Sequence, residues 1–147
     1  MYKKLLVPID GSAFSERAVR ESIALARQLG AEITGFIAEP EAPLPAVGRP
    51  APMIALETRQ HDARVGRHAV DVLLGFEVQA RSAGVGFRGC YTQSQRIPEA
   101  IATAAQQHGC DVIVMATHDR GLLRELFFGS HTKRLMARTK IPLLVLH

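Results

Sequence analysis

The stretch KKLLVPIDGS, residues 3 to 12, opens with an apolar run and closes with a turn-forming Asp-Gly-Ser sequence. A short apolar run bounded by such a turn is typical of a buried strand, which we predict over residues 3 to 9. Apolar residues then recur at helical spacing over residues 18 to 29, and the pattern stops at Gly30. Because glycine commonly lies just past the end of a helix, this part of the chain predicts a strand followed by a helix.

The same order of strand and helix recurs along the rest of the chain. Apolar runs predict four more strands, at residues 32 to 38, 86 to 92, 111 to 116 and 142 to 146. Helical periodicity predicts three more helices: one over about residues 56 to 82, one opened near Pro98, and one that begins near Gly129 and Ser130. The last of these is marked by Thr132, Leu135, Met136 and Thr139.

Prolines are concentrated in one segment, at about residues 40 to 55. Five of the eight prolines fall between Pro40 and Pro52. Because proline cannot donate to a strand ladder, this segment cannot join a central strand and is predicted to be a loop. It is the best candidate in the chain for a mobile flap.

The alternation of five strands with helices indicates the fold class. Strands that are continuously apolar favour a parallel sheet covered by helices on both faces. Crossovers between parallel strands are right-handed, which gives a doubly wound, Rossmann-like α/β domain with five strands. Ligands of such domains bind at the carboxyl ends of the strands, where the strand order reverses. The segments to search therefore follow Ile9, Ala38, Thr92 and Ala116.

Length and charge limit the class of protein. The chain has 147 residues, so we expect a single domain over residues 1 to 147. No apolar run approaches the roughly 18 residues that a membrane span needs, and no secretory leader precedes the first strand, so we expect a cytoplasmic protein with no membrane partner. The net charge is +4, but Lys and Arg are spread over nearly every segment and there is no Trp. Because a nucleic-acid interface needs clustered basic residues and aromatic platforms, no nucleic-acid partner is expected.

The two cysteines, Cys90 and Cys110, do not indicate a special chemistry. They have neither the spacing of metal ligands nor the density of a disulfide scaffold. We expect both to be reduced and buried.

Of two glycine-containing stretches that resemble phosphate-binding motifs, only the second has the context that phosphate binding needs. GVGFRG, residues 84 to 89, has the spacing of a dinucleotide motif, but it follows a predicted helix and leads into a strand, which is the reverse of the order that motif needs. Gly129, Ser130 and His131 instead open a predicted helix, where backbone N–H groups, the Ser130 hydroxyl and the helix dipole favour an anion. Ser130 could alternatively act only as the N-cap of that helix.

Four segments resemble the universal stress protein family: LLVPIDGS at residues 5 to 12, DVIVMATHDRG at 111 to 121, FFGS at 127 to 130 and IPLLVL at 141 to 146. The resemblance covers both ends of the chain. It implies a fold of the adenine nucleotide alpha hydrolase-like type that binds ATP, or AMP or ADP, and acts as a regulatory module in the stress response. It also implies a homodimer formed through the C-terminal strand. The protein partner and the stress signal are not indicated.

The resemblance also implies which residues contact the nucleotide. Asp10 would hydrogen-bond the nucleoside, while Pro8 and Ile9 line the adenine slot and Ile37 presents its backbone to the adenine edge. Asp10 could alternatively serve only the turn after the first strand. The remaining residues implied would pack beneath the ribose and adenine or hold the phosphates: Met115, Ala116, Thr117, His118, Asp119, Gly129, Ser130 and His131.

One position departs from the family pattern in a way that matters for phosphate binding. The family pattern G-x-x-G, nine residues, then G-[ST] falls on Ala116, Asp119, Gly129 and Ser130. Ala116 replaces the first glycine and adds only a methyl group, whereas Asp119 replaces the second glycine with a charged side chain. At about 4 to 8 Å and an effective dielectric constant of about 20, the Asp119 carboxylate would repel a phosphate by roughly 2 to 4 kcal/mol. A Mg²⁺ ion that bridges Asp119 to the phosphates, or the nearby Arg120, could offset this repulsion.

This substitution keeps two alternatives to ATP binding open. The first is a nucleotide-free homodimeric interaction protein, which the Asp119 charge favours. The second is a slow ATPase, although no residue is an evident general base and no catalytic residue is assigned.

Overall fold

Strands and helices alternate along the chain in the predicted order. The structure, a computed structural model, describes residues 1–11, 15–116 and 130–146. Its strands are β1 (Lys4–Pro8), β2 (Glu32–Glu39), β3 (Phe87–Gln93), β4 (Val112–Ala116) and β5 (Leu143–Leu146). The helices of the described ranges are α1 (Ser15–Leu29), α2 (Ala51–Ser82), α3 (Ile97–Gln107) and α4 (Ser130–Arg138).

The five strands form one parallel sheet in the order β3-β2-β1-β4-β5. The chain moves from β1 outward through β2 to β3, and then returns to the other side of β1 with β4. The strand order therefore reverses between β1 and β4, as a doubly wound α/β fold requires. The predicted fold class is confirmed.

Helices cover both faces of the sheet because successive strand residues point to opposite sides. On one face, Leu5 and Val7 of β1 pack with the apolar sides of α1 and α2, including Phe76. On the other face, Leu6 packs with residues of α3 and with Leu135 of α4. Leu5, Leu6 and Val7 are all fully buried, which explains why the β1 run is apolar at every position.

α2 begins earlier than the sequence pattern indicates. The helix starts at Ala51 rather than near residue 56, so the loop after β2 spans residues 40 to 50 and is shorter than predicted. Pro50 caps the helix and Pro52 lies in its first turn. A proline there costs no hydrogen bond, because the first N–H groups of a helix have no partner within it.

The last helix, α4, turns only one of its two large apolar side chains toward the core. Leu135 is 1% exposed, whereas Met136 is 64% exposed and points away from the core. Neighbouring helix residues are separated by 100° around the axis, so the helix cannot turn both toward the same narrow contact.

The GVGFRG segment, residues 84 to 89, is a helix end and the start of a strand. Gly84 has φ +75° and follows α2, and its N–H donates to Arg81 O at 2.9 Å. The Val85 N–H donates to Ala80 O at 2.9 Å. These two bonds form a Schellman motif, which needs a residue with positive φ, so the interpretation as a helix stop rather than a nucleotide motif is confirmed.

Candidate functional site

The switch point of the sheet lies between the carboxyl ends of β1 and β4. Leu5 pairs with Val112 and Leu6 with Ile113, so Pro8 and Met115 come to the same level near this edge. Pro8 and Ile9 are buried, and Asp10 is partly exposed. The end of β1 therefore supplies apolar side chains first and a carboxylate where the chain reaches solvent.

The neighbouring strand β2 extends farther than β1. The last registered pair of the two strands joins Pro8 to Phe36, and the Ile9 N–H donates to Phe36 O at 2.9 Å. Ile37 lies just past this last bond, while on its other side it pairs with Tyr91 of β3. The Ile37 side chain is 1% exposed, so its backbone is the part that can face a ligand at the edge.

A carboxylate and a histidine meet beside this edge, on the side that α2 covers. Glu39, the last residue of β2, has a side chain that is only 7% exposed, and His68 of α2 is half exposed. Glu39 Oε1 and His68 Nδ1 are 2.7 Å apart. Because a carboxylate oxygen only accepts hydrogen bonds, Nδ1 donates and Nε2 is left as the outward nitrogen of the ring.

The outward face of His68 approaches the turn after β1. Gly11 has φ +78°, and a Cβ atom on it would lie 2.9 Å from His68 Nε2 and 2.8 Å from Val72 Cγ2. A side chain at this position would be strained by the backbone conformation and would force His68 or Val72 to shift. Gly11 thus lets α2 pack closely against the turn that carries Asp10.

Further contacts tie the middle of α2 to the same edge. His61 Nε2 lies 3.0 Å from Pro40 O, just after β2. The Gln93 side-chain amide, at the end of β3, donates to Asp62 Oδ1 at 2.9 Å. α2 therefore forms a wall along the carboxyl ends of β2 and β3.

The structure brings one group of the predicted site residues together. Pro8, Ile9, Asp10 and Ile37 lie at one edge, near the switch point. Met115 is 1% exposed and packs with the α3 and α4 side of the core.

Other predicted site residues lie outside what the structure describes. Thr117, His118, Asp119 and Gly129 fall outside the described ranges. Of Ala116, Ser130 and His131 the backbone is described and the side chains are not: Ala116 ends β4, and α4 begins at Ser130, where the sequence predicts a helix start.

Sequence reasoning missed Glu39, His68 and Gly11 as parts of this edge. The search for residues after Ala38 pointed to Glu39 without naming it, and a strand that ends in a carboxylate at a ligand-binding edge was the available signal. His68 lies 29 residues from Glu39, and no local pattern relates the two.

Cysteine chemistry does not contribute to this edge. Cys110 is buried and Cys90 partly so, and both are free thiols. Burial raises the pKa of the Cys90 thiol to about 11 and also raises the pKa of Cys110. Both groups are therefore protonated near neutral pH and are poor nucleophiles.

Neither a metal-binding cluster nor a membrane-spanning helix occurs among the described residues. No group of three or more His, Cys, Asp or Glu side chains there could hold a metal ion. No helix of the described segments is long and apolar enough to cross a membrane.

The sequence as a whole matches the model of the universal stress protein family over residues 1–147. The chain belongs to this family. A universal stress protein in the QAH/OAS sulfhydrylase 3′ region of Thermus aquaticus is 30% identical over 146 residues, which cover 99% of this chain and 98% of the relative.

Solved universal stress proteins share the fold. UspA from Lactobacillus plantarum superimposes with a TM-score of 0.76 at 18% identity, over 99% of this chain and 98% of that chain. The protein from Archaeoglobus fulgidus in complex with dAMP gives a TM-score of 0.61 at 18% identity, over 99% of this chain and 98% of that chain.

Proposed function

We propose that this universal stress protein binds an adenine nucleotide, ATP or its mono- or diphosphate, at the carboxyl ends of β1, β2 and β4. The observation that carries the proposal is that β1 and β2 run side by side up to the switch point, where Asp10 follows Ile9 and Ile37 follows Phe36. The Archaeoglobus fulgidus relative was solved with dAMP, which supports the same class of ligand. Nucleotide occupancy would then set the state of a regulatory module in the stress response.

The nucleoside end of this site consists of β1 and β2. Pro8 and Ile9 supply apolar surface for a base, and the peptide groups of Ile37 can pair with its polar edge in the way strands pair. The Asp10 carboxylate accepts hydrogen bonds, so it suits the hydroxyl groups of a ribose. Glu39 and His68 support this end, because their hydrogen bond holds α2 against the Gly11 turn.

The phosphate end would be formed by the connection from β4 to β5. Because β4 and β5 are parallel, this connection begins at the carboxyl edge, where Ala116 ends its strand. The first turn of α4 at Ser130 and His131 offers backbone N–H groups and the positive end of the helix dipole. Thr117, His118, Asp119 and Gly129 complete the proposed phosphate contacts, with Mg²⁺ between Asp119 and the phosphates.

The direct test of nucleotide binding is mass spectrometry of the purified protein after denaturation. We expect an adenine nucleotide in the released small molecules, and calorimetric binding of ATP to protein stripped of nucleotide. Asp10→Ala should weaken binding about tenfold or more, because it removes hydrogen bonds to a charged group. Asp71→Ala on the outer face of α2 removes the same side chain elsewhere and should leave affinity unchanged.

The role of Asp119 is tested by Asp119→Gly with and without Mg²⁺. Removal of a repelling carboxylate should tighten ATP binding in the absence of metal by one to three orders of magnitude. Adding Mg²⁺ should narrow the difference between the two proteins. Equal affinities in the absence of metal would reject the repulsion, and no ATP binding by either protein would favour the nucleotide-free interaction protein.

We also propose that β5 forms a homodimer by pairing with its copy. β5 ends the strand order, and its Leu144 is 38% exposed. An apolar strand edge that stays in water is a template for association, so a second copy would cover it. Light scattering after size exclusion should give a dimer, and Leu144→Arg should shift it toward monomer.

A further inference from the structure

The outer side of α2 carries an apolar stripe. The helix has 32 residues, which corresponds to about 48 Å, and its buried residues all lie in its second half, between Ala69 and Ala80. On the opposite side, four large apolar residues are between 52% and 57% exposed: Leu56, Val70, Leu74 and Val78. Val70, Leu74 and Val78 follow one another at intervals of four residues, and Leu56 lies on the same side about four turns earlier. Single exposed apolar residues are ordinary, but three in a row at helical spacing match a helix-packing surface.

Opposite charges flank this stripe at a spacing that repeats. Arg64 and Asp71 are seven residues apart, so they lie two turns apart on the same side of the helix. Within the described ranges neither side chain forms an ion pair, whereas Glu57 pairs with Arg49 and Glu77 pairs with Arg81. Both side chains are exposed, so a partner can reach them.

We propose that α2 is an interface for a second copy of this chain, in which two α2 helices pack antiparallel about a two-fold axis. In an antiparallel pair, residues that flank the contact on the same side face each other across it. Arg64 then lies beside Asp71 of the partner subunit, and the symmetry repeats this pair with the roles exchanged. Each chain supplies both a cation and an anion, so the surface is complementary to itself.

The charges select one register of the two helices. In this register, a residue of one helix lies opposite a residue of the partner helix when the two residue numbers add up to about 135 to 137. Leu74 therefore lies against the partner's Ala63. Val70 then packs on the aliphatic stem of the partner's Arg67, whose guanidinium can reach Asp71. Leu56 lies within one turn of the partner's Val78.

Neighbouring registers are disfavoured by the same charges. A shift of one heptad in one direction brings Arg64 beside the partner's Arg64, and the opposite shift brings Asp71 beside the partner's Asp71. A parallel pair would bring Arg59 near the partner's Arg64. Like charges at such flanking positions oppose association, so the Arg64–Asp71 pairs favour the antiparallel register near 135 to 137. In this register the two Arg67 side chains also approach each other, with an Asp71 carboxylate next to each of them.

This surface is separate from the proposed β5 interface. α2 packs on β2 and β3, at one end of the strand order, while β5 lies at the other end. The two interfaces can therefore operate at the same time.

Sedimentation velocity over a range of protein concentrations tests the α2 interface by charge reversal. The single variants Arg64→Asp and Asp71→Arg each replace two attractive contacts with two repulsive ones, and association should weaken by roughly tenfold or more. The double variant Arg64→Asp/Asp71→Arg restores opposite charges and should associate within a few-fold of the unchanged protein. Gln106→Asp, on an exposed position of α3 across the sheet, serves as the control and should have no effect.

The NaCl concentration and a variant of the apolar stripe test the α2 interface in two further ways. Raising the NaCl concentration should narrow the gap between the single variants and the unchanged protein, because salt screens repulsion between exposed charges. Leu74→Glu should reduce association without lowering the melting temperature, since its side chain is half exposed. Absence of association in the unchanged protein, or equal association in all variants, would overturn the proposal. So would failure of the double variant to recover.

Discussion

At the amino edge of the sheet three helices end on glycines of positive φ, Gly30, Gly84 and Gly109, whereas at the carboxyl edge the turn after β1 bends at Gly11. The three amino-edge glycines share one pattern: the residue after each glycine is buried and donates its N–H to a carbonyl five residues back. A Cβ on any of the three would have nothing within 4 Å. Gly11 instead faces side chains of α2 from 57 residues or more along the chain. The amino edge is built from local turn chemistry, and the carboxyl edge from contacts distant in sequence.

This difference separates structural glycines from one that shapes a site. At the amino edge, the backbone conformation alone requires glycine, and the result is the same short connection three times. At the carboxyl edge, conformation and space both require it, because His68 and Val72 fill the place of a side chain. The closer packing brings the Glu39–His68 pair to the turn that carries Asp10.

The largest loss of folding stability is expected for Gly11→Ala, and Gly84→Ala is its matched comparison at the amino edge. Gly84→Ala should cost about 1 to 2 kcal/mol, the penalty of a left-handed conformation for a residue with a Cβ. Gly11→Ala adds contacts under 3.0 Å to that penalty, so we expect a total of about 2 to 4 kcal/mol in the free energy of unfolding by urea. Equal losses would mean that the α2 side chains move aside freely.

The same pair of variants also separates stability from ligand binding. Gly11→Ala should weaken ATP binding, since the turn moves Asp10, while Gly84→Ala should leave the affinity of the folded protein unchanged. Binding is measured by calorimetry well below each melting temperature. A loss of affinity in Gly84→Ala as large as in Gly11→Ala would remove the distinction between the two edges.

Smaller losses of folding stability are expected when one partner of a polar pair is removed at either edge. At the amino edge, Lys4 Nζ and Glu32 Oε1 lie 3.3 Å apart with both side chains about half exposed. Lys4→Ala should therefore cost no more than about 1 kcal/mol. At the carboxyl edge, His68→Ala leaves the buried Glu39 carboxylate without its imidazole partner, and the cost should be about 1 to 3 kcal/mol.

A double-mutant cycle isolates the Glu39–His68 contribution. Glu39→Gln, His68→Ala and the double variant are unfolded in urea near pH 7. We expect the double variant to be less destabilised than the sum of the single variants, by about 0.5 to 3 kcal/mol, since the residues are in contact. Additive losses would mean that the short Nδ1–Oε1 contact contributes no coupling.

The two edges also differ in how far sequence predicts them. The strands and most helix ends followed from apolar runs, prolines and glycines, because these signals act within a few residues. Leu135 and Met136 both mark α4 in the sequence, but periodicity alone does not show which of the two is buried. The start of α2 was predicted late, because prolines suit a first helical turn as well as a loop.

The candidate site was predictable to the extent that it follows β1. Asp10 comes directly after a buried strand, and the switch point is a property of the fold class, so its location could be inferred. The Glu39–His68 pair could not, because the contact depends on how a long helix crosses the end of β2. Several polar residues of α2 and β2 look equally exposed in the sequence, and only tertiary packing determines which of them form a hydrogen bond.

The smallest effect on folding stability is expected from ionisation of the two thiols, Cys90 and Cys110. Cys110 comes just before β4 at the amino edge and is 5% exposed, while Cys90 lies within β3 and donates a weak hydrogen bond to Gly35 O at 3.7 Å. Because burial raises the pKa of the Cys90 thiol to about 11, the folded state favours the protonated form. This contribution to stability is complete at neutral pH and is lost as the pH rises from the unfolded value of about 8.5 toward 11.

Alkylation by iodoacetamide at pH 8 measures the thiol effect. With a pKa near 11, the thiolate fraction of Cys90 is roughly a hundredfold or more below that of an exposed cysteine, and the rate of modification should fall in proportion. Cys110, whose pKa is also raised by burial, should react slowly as well, and Cys90→Ser assigns the two rates. Urea should bring both cysteines to the rate of a free thiol. Fast reaction of Cys90 in the folded protein would mean that β3 opens often enough to expose its thiol to water.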